Sequence, residues 1–240
     1  MTQEPSSQDA VRLTLDQAEA LARRALERSG LAPRHAAAVA TQHVAADRDG
    51  IPSHGIARIP SSCELIAIGK VKGDAAPRVA SPRPGLIHVD SDDGFPHLGI
   101  EMGTPLLCEA ARRNGIAAMT VANGYHCGVL GYHTERIAAQ GLVALGFTAA
   151  PASIAPWGGR LPVIGTNPIS CAVPRQDGSP LVIDQSSSVV AKSEVIDRHQ
   201  RDEAIPSHWA FDRDGHPTSS AAAALQGGTM APAGGYKGFG

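Results

Sequence analysis

The N-terminal part of the chain carries apolar side chains at helical spacing. Leu15, Ala18, Leu21, Ala22, Ala25 and Leu26 fall on one stripe. Thr14-Leu-Asp-Gln17 reads as a capping box ahead of that stripe, because the Gln17 side chain can return to the Thr14 amide. Gly30 stops this first helix, and Pro33 suits the first turn of a second that runs to about Arg48 and ends at Gly50. Ser53 is a plausible N-cap for a third helix, whose regularity Pro60 limits. Residues 1–10 read as a disordered tail. Residues 71–86, rich in Pro, Gly, Ala and Arg, read as a connection.

Beyond that connection the pattern alternates between the strand and helix periods. Residues 86–89 are strand-like, 96–113 helical up to Asn114-Gly115, and 116–121 strand-like. Residues 131–140 are helical up to Gly141, and 142–148, 169–173 and 181–183 are strand-like. Residues 187–198 read as a helix, and Asp212-Arg-Asp-Gly215 as a turn. Strands separated by helices give way to strand–turn–strand around 164–184. The order predicts an α/β protein with a mixed, largely antiparallel sheet and flanking helices, not a doubly wound parallel one. An N-terminal helical region over 1–75 would precede a mixed-sheet domain over 76–240.

Composition narrows the function classes. The chain has 240 residues, 42% hydrophobic and 18% charged, enough to bury a core as one large or two small domains. Its net charge is −2, with no basic stripe, which argues against nucleic-acid binding. Cys63, Cys108, Cys127 and Cys171 lie far apart with no CxxC, a usage that suits reduced thiols in a cytoplasmic protein. The N-terminus lacks the basic and apolar regions of a signal peptide, and no apolar run approaches membrane-spanning length.

Candidate chemistry sits at the mouths of the expected elements. If the third helix starts near Ser53, His54 and Arg58 are four apart and share a face. A helix N-terminus beside an arginine favours an anion; Arg holds a carboxylate through two parallel hydrogen bonds, and His exchanges a proton near neutral pH. The same triplet also fits an N-cap followed by surface side chains. His126 follows a strand and lies in a turn rich in Gly124, Gly128 and Gly131, where small residues let a cofactor approach the backbone. The turn also fits a tight connection around a satisfied histidine. With Cys127 and His133 it could hold zinc for a hydrolase, although the spacing matches no standard ligand set. Asp184 ends an apolar strand, where a carboxylate can orient an imidazole or simply start a turn. Lys237 can reach a phosphate from Gly235-Tyr-Lys-Gly238, or be a solvated turn residue. Neither GxGxxG nor GxxxxGK[ST] occurs, so motifs alone indicate no nicotinamide cofactor.

Ser53-His-Gly-Ile-Ala-Arg-Ile-Pro60, Val121-Ala-Asn-Gly-Tyr-His-Cys-Gly128, Gly165-Thr-Asn-Pro168, Val182-Ile-Asp184 and Gly235-Tyr-Lys-Gly238 together resemble the malate/lactate/ureidoglycolate dehydrogenase family. The resemblance runs from the first helix to the last residue. It implies a non-Rossmann fold that binds NAD or NADP, and a small 2-hydroxy/2-oxo or cyclic imino carboxylate as substrate. It implies a proton donor at His54, relay partners at Ser53 and Asp184, and substrate binding at Arg58. It also places the cofactor beside His126, Cys127, Gly128, Asp184, Gln185, Ser186, Tyr236 and Lys237. Some members carry their catalytic base at the position of His126, so the acid/base role stays open between His54 and His126. No metal is implied.

Two departures stand out. Asp184-Gln-Ser-Ser-Ser replaces the family's usual apolar residue and alanine after the Asp, and Ala149-Ala150 stands where the family carries polar residues. The family normally continues past the position of Gly240, with a segment expected to complete the cofactor pocket and the subunit contacts of a homodimer. The alternative reading is therefore a truncated, catalytically silent chain that binds a ligand or a partner subunit.

Overall fold

A computed structural model of the chain describes residues 11–238. The tail expected over 1–10 lies outside the described residues. Contacts divide the chain into two compact units, Met1–Val129 and Leu130–Gly240.

The first unit opens with α1 (Leu15–Arg28) and α2 (Pro33–Arg48). The capping box forms as expected. The Gln17 amide donates to Thr14 Oγ1 at 3.2 Å, and the Thr14 amide donates to Gln17 Oε1 at 2.9 Å. Pro33 stands in the first turn of α2, where a missing N–H costs nothing. Leu26, Val39, Ile59, Val71 and Phe95 join α1, α2 and α3 (Ile59–Ala67) in one core.

The expected helix from Ser53 does not form as such. Residues Pro52–His54 and Ile56–Arg58 make two separate 3-10 turns, with Gly55 extended between them, and α3 begins only at Ile59. His54 and Arg58 thus belong to successive tight turns rather than to one helical face. Pro60 falls in the first turn of α3 and leaves that helix regular.

The connection expected over 71–86 contains a strand, β1 (Arg78–Arg83). It pairs antiparallel with β2 (Leu86–Gly94), which runs parallel to β3 (Ala118–Gly124) across the helix α4 (His97–Asn114). β1 is an exposed edge strand with almost no buried side chain, so hydrophobic alternation gave no sign of it.

The second unit starts with α5 (Leu130–Ala138), which covers one face of the antiparallel sheet β4 (Ala144–Phe147), β5 (Ile169–Val173) and β6 (Leu181–Gln185). Ala138, Ala144 and Ala172 are buried beneath it, with Ile137 and Val182 packed against them. The register pairs Leu145 with Cys171 and Cys171 with Ile183, Phe147 with Ile169, and Val173 with Leu181. These side chains form the opposite face, and six of them (Leu145, Phe147, Ile169, Val173, Leu181 and Ile183) are exposed.

A smaller layer follows: α6 (Lys192–Gln200), β7 (Ala210–Phe211), α7 (Ala221–Leu225) and β8 (Thr229–Met230) around Ile154, Val195 and Met230. The turn expected at Asp212–Gly215 is present, closed by the Gly215 amide on the Asp212 carbonyl at 3.0 Å. The last described element is the short α8 (Gly235–Gly238). β2 with β3 is the one parallel pair among the described strands, and the remaining strand pairs are antiparallel. The expected mixed, largely antiparallel α/β architecture is therefore what the chain adopts.

Candidate active site

In the first unit, the segment after α2 is shaped by Asp47. Its Oδ2 accepts the Ile56 amide at 2.7 Å, and a Cβ on Gly55 would overlap the same carboxylate. Only glycine lets the chain pass Asp47 so closely, and this passage splits the expected helix into two turns. Ser53 Oγ lies 3.1 Å from His54 Nδ1, so the pairing expected from sequence is present. Ser53, His54 and Arg58 are all half-buried. Among the described residues no carboxylate comes within ion-pair distance of the Arg58 guanidinium.

His126 lies in the turn after β3, in an aromatic enclosure. Its ring centroid is 5.0 Å from Phe95, 5.6 Å from Tyr125, and 6.1 Å from both His43 and His97. Burial pushes its pKa down to about 4, and charge on His43, Arg58 and His54 adds to the effect. His126 is thus a neutral imidazole at physiological pH. Burial likewise lowers the pKa of His43, with His54 and Arg58 acting the same way and the His54 carbonyl and Asp47 opposing it. Gly128 adopts φ 70°, and a Cβ there would overlap the Gln42 amide. Cys127 beside it is a half-buried free thiol.

Three participants were not legible as site residues: Gln42, His43 and His97, which are 0%, 1% and 2% exposed. The one available signal was two adjacent polar residues, Gln42 and His43, inside an otherwise Ala- and Val-rich helix. Among the described residues no group of three or more His, Cys, Asp or Glu side chains converges as a metal site, so nothing in the geometry favours zinc at His126, Cys127 and His133.

In the second unit, Asp184 Oδ2 accepts the Gly131 amide at 2.6 Å. A carboxylate from β6 thereby caps the first turn of α5, which satisfies one of the free amides of that helix end. Ser186 Oγ donates to the Thr166 carbonyl at 3.0 Å, and Asn167 Oδ1 accepts the Ala150 amide at 2.9 Å. The Gly165-Thr-Asn-Pro168 segment is thus tied to the chain on either side. Gln185 and Lys237 are exposed, and the Tyr236 side chain lies outside the described part of the structure. A cavity of about 420 Å³ lined by Trp157, Arg160, Phe211 and His216 includes none of the expected site residues.

This fold coincides with that of a known family. The sequence profile of malate/L-lactate dehydrogenase matches residues 13–240. The chain is 42% identical over 228 residues to the Δ1-pyrroline-2-carboxylate/Δ1-piperideine-2-carboxylate reductase of Pseudomonas aeruginosa, covering 95% of this chain and 68% of that protein. It is 41% identical over 226 residues to a (2R)-3-sulfolactate dehydrogenase (NADP(+)) of Chromohalobacter salexigens, covering 94% and 67%. The crystal structure of Δ1-piperideine-2-carboxylate reductase from Pseudomonas syringae matches with a TM-score of 0.90 and 35% identity, over 95% of this chain and 69% of that one. The chain belongs to the malate/L-lactate dehydrogenase family, and with it to the NAD(P)-dependent oxidoreductases. It spans about two thirds of the length of the curated relatives it matches.

Proposed function

We propose that the protein transfers a hydride between a nicotinamide cofactor and a small 2-oxo/2-hydroxy or cyclic imino carboxylate. The observation that carries this reading is the half-buried Arg58, without a carboxylate partner among the described residues, near the neutral imidazole of His126. An unpaired guanidinium in such a place is ready for the carboxylate of a substrate. The names of the relatives favour a cyclic imine, in which C=N carries the carboxylate carbon next to it.

The residues at hand fit a nicotinamide dinucleotide. The 124–128 turn is bounded by Gly124 and Gly128, where the backbone can be approached closely, Lys237 offers an exposed cation for a phosphate, and Gln185 and Ser186 follow Asp184 at the end of β6. When bound, the cofactor supplies or takes up the hydride at the carbon next to the carboxylate. Arg58 holds that carboxylate and fixes which face of the carbon is presented. In reduction, His54 delivers a proton to the imine nitrogen or carbonyl oxygen, with Ser53 on its Nδ1 and Asp184 assigned to the relay behind it. His126, Cys127 and Gly128 border the nicotinamide, and His126 stays uncharged there. Asp184, Gln185, Ser186, Tyr236 and Lys237 belong to the cofactor side. In this reading 76–240 form the cofactor-binding domain and 1–75 the helical region that carries His54 and Arg58.

The test is Arg58→Lys. Lysine keeps the charge and loses the planar fork, so carboxylate affinity falls about tenfold or more while nicotinamide affinity is retained. Equal loss of both ligands would make Arg58 structural, and unchanged carboxylate affinity would remove it from the site.

The same reading includes a cytoplasmic homodimer. No described helix is long and apolar enough to cross a membrane. The outer face of β4–β6, with Leu145, Phe147, Ile169, Val173, Leu181 and Ile183 exposed and no charged residue among them, supports an isologous contact. Such a face offers several hundred Å², on the order of the roughly 800 Å² per partner in a standard interface. Sedimentation equilibrium should find a dimer that Phe147→Glu dissociates. A monomeric wild type would exclude it.

A further inference from the structure

His43 has no role in the reading above, yet it touches the residue at its centre. It sits in the middle of α2, 1% exposed, and its Nδ1 lies 2.6 Å from the His54 carbonyl oxygen. A carbonyl only accepts, so Nδ1 carries the proton and donates it. The tautomer is thereby settled. Nε2 is left as a lone-pair acceptor, buried and without a hydrogen-bond partner among the described residues.

The groups that face this ring come from four places. His54 and Arg58 stand on the two 3-10 turns, Asp47 on α2 itself, His97 on α4, and His126 after β3. His97 and His126 have ring centroids 6.5 and 6.1 Å from that of His43. A protonated His43 would meet the positive neighbours Arg58 and His54 with Asp47 as the one opposing charge, in agreement with its lowered pKa. The preceding residue on the helix, Gln42, is 0% exposed and has its amide against Gly128 in the turn that carries His126. Two consecutive side chains of α2 therefore reach the two catalytic strips of this unit.

We propose that His43 is a positioning residue: its Nδ1–H grips the His54 carbonyl and so holds the His54 imidazole, with Ser53 beside it, where the proton is passed. This rests on the dehydrogenase reading for what His54 does, but not for the grip itself. The grip matters because His54 lies in a three-residue 3-10 turn between Pro52 and the extended Gly55. A turn that short has little of its own to hold it, and a small displacement of an acid/base group is costly in rate.

The experiment separates the grip from packing. Asparagine places an amide N–H near where Nδ1 stood, and leucine fills the volume without a donor. His43→Leu should lower kcat by about 10- to 100-fold and leave nicotinamide affinity within about twofold, whereas His43→Asn should recover most of kcat. Equal losses in both variants, or loss of cofactor affinity along with kcat, would reduce His43 to a packing residue.

Long-range 1H–15N spectra of the imidazoles supply a readout free of turnover. His43 should show the neutral Nδ1–H pattern at about pH 7, since burial lowers its pKa from the ordinary imidazole value. The His54 ring signals should move in His43→Leu and stay in His43→Asn. An Nε2–H pattern, or a His43 that titrates near pH 6.5, overturns the proposal. If no carboxylate turns over, the dehydrogenase reading fails while these spectra still decide the grip. If His43→Leu does not fold, the wild-type tautomer and the His43→Asn comparison remain decisive.

Discussion

The two units treat polarity in opposite ways. In the first, polar groups are hidden and, among the described residues, left short of partners: His43 and Gln42 are buried with unmatched atoms, His126 is enclosed by aromatic rings, and Arg58 has no carboxylate within ion-pair distance. In the second, the side chains after β6 are tied to backbone, with Asp184 on the Gly131 amide and Ser186 on the Thr166 carbonyl, while apolar side chains of the sheet face solvent. Buried polar groups without partners cost stability, and a fold retains them where they meet a ligand or move a proton. Exposed apolar surface instead marks what another surface covers. In the proposed reading the first unit carries the acid/base and carboxylate-binding groups, and the second carries the cofactor-side residues and the face proposed for assembly.

The largest expected effect would break this contrast at its chemical end. Within the proposed mechanism, His54→Ala should lower turnover by about 10²- to 10⁴-fold with nicotinamide still bound, the range for losing a general acid. His126→Ala should weaken nicotinamide binding instead. Steady-state kinetics beside direct titration of the cofactor checks both. Near-normal turnover of the His54→Ala protein would move the acid/base role to His126.

Backbone geometry gives a middle-sized test, one variant in each unit. Gly128→Ala forces a Cβ into the Gln42 amide at a residue with φ 70°, and should cost about 1–3 kcal/mol. Asp184→Ala removes the cap of α5 and should cost about 1–2 kcal/mol, while Asp184→Asn, which keeps an accepting oxygen, should cost less. Denaturant midpoints measure all three. Asn as damaging as Ala would mean that the charge of Asp184, rather than its hydrogen bond, matters to the fold.

Stability against pH gives a further test of the same contrast. His126, at about 4, and His43 both lie below the ordinary 6.5 of an imidazole. The unfolded chain takes up these protons as pH falls through about 6.5, and the folded chain does not until about 4 for His126. Stability from these two groups is therefore full above about pH 6.5 and falls as the pH drops below it, for His126 down to about 4. Replacing His126 with Asn should flatten part of that decline in urea denaturation. A wild-type protein equally stable at both ends of this window would show that neither imidazole is held neutral.

Much of the architecture was legible in local pattern. The capping box at Thr14, Pro33 at the start of α2, and the strands read at 169–173 and 181–183 each depend on residues within a few positions of one another. The contact of Ser53 with His54 was pointed to by the family resemblance, whereas local pattern read Ser53 as a helix cap. Two local readings failed because a distant or flanking group overruled them. Ser53 looked like a helix start, but Asp47 holds the Ile56 amide and requires Gly55 extended, so two short turns form. β1 looked like a connection because an exposed edge strand needs no hydrophobic alternation; its pairing with β2 decides it.

By itself, then, the sequence determined the helical and strand periods, their punctuation by Gly and Pro, and the polar motifs that place the chain in its family. Only the tertiary structure decided what state those motifs are in. Phe95 and His97, from the start of α4, and His43, from α2, surround His126 although dozens of positions separate them along the chain, and their burial is what brings that imidazole down to about 4. Likewise Asp184 became the cap of α5 because β6 folds back beside Gly131. A residue's identity is local, but its solvation, its tautomer and the partner that takes its proton depend on neighbours that only folding supplies.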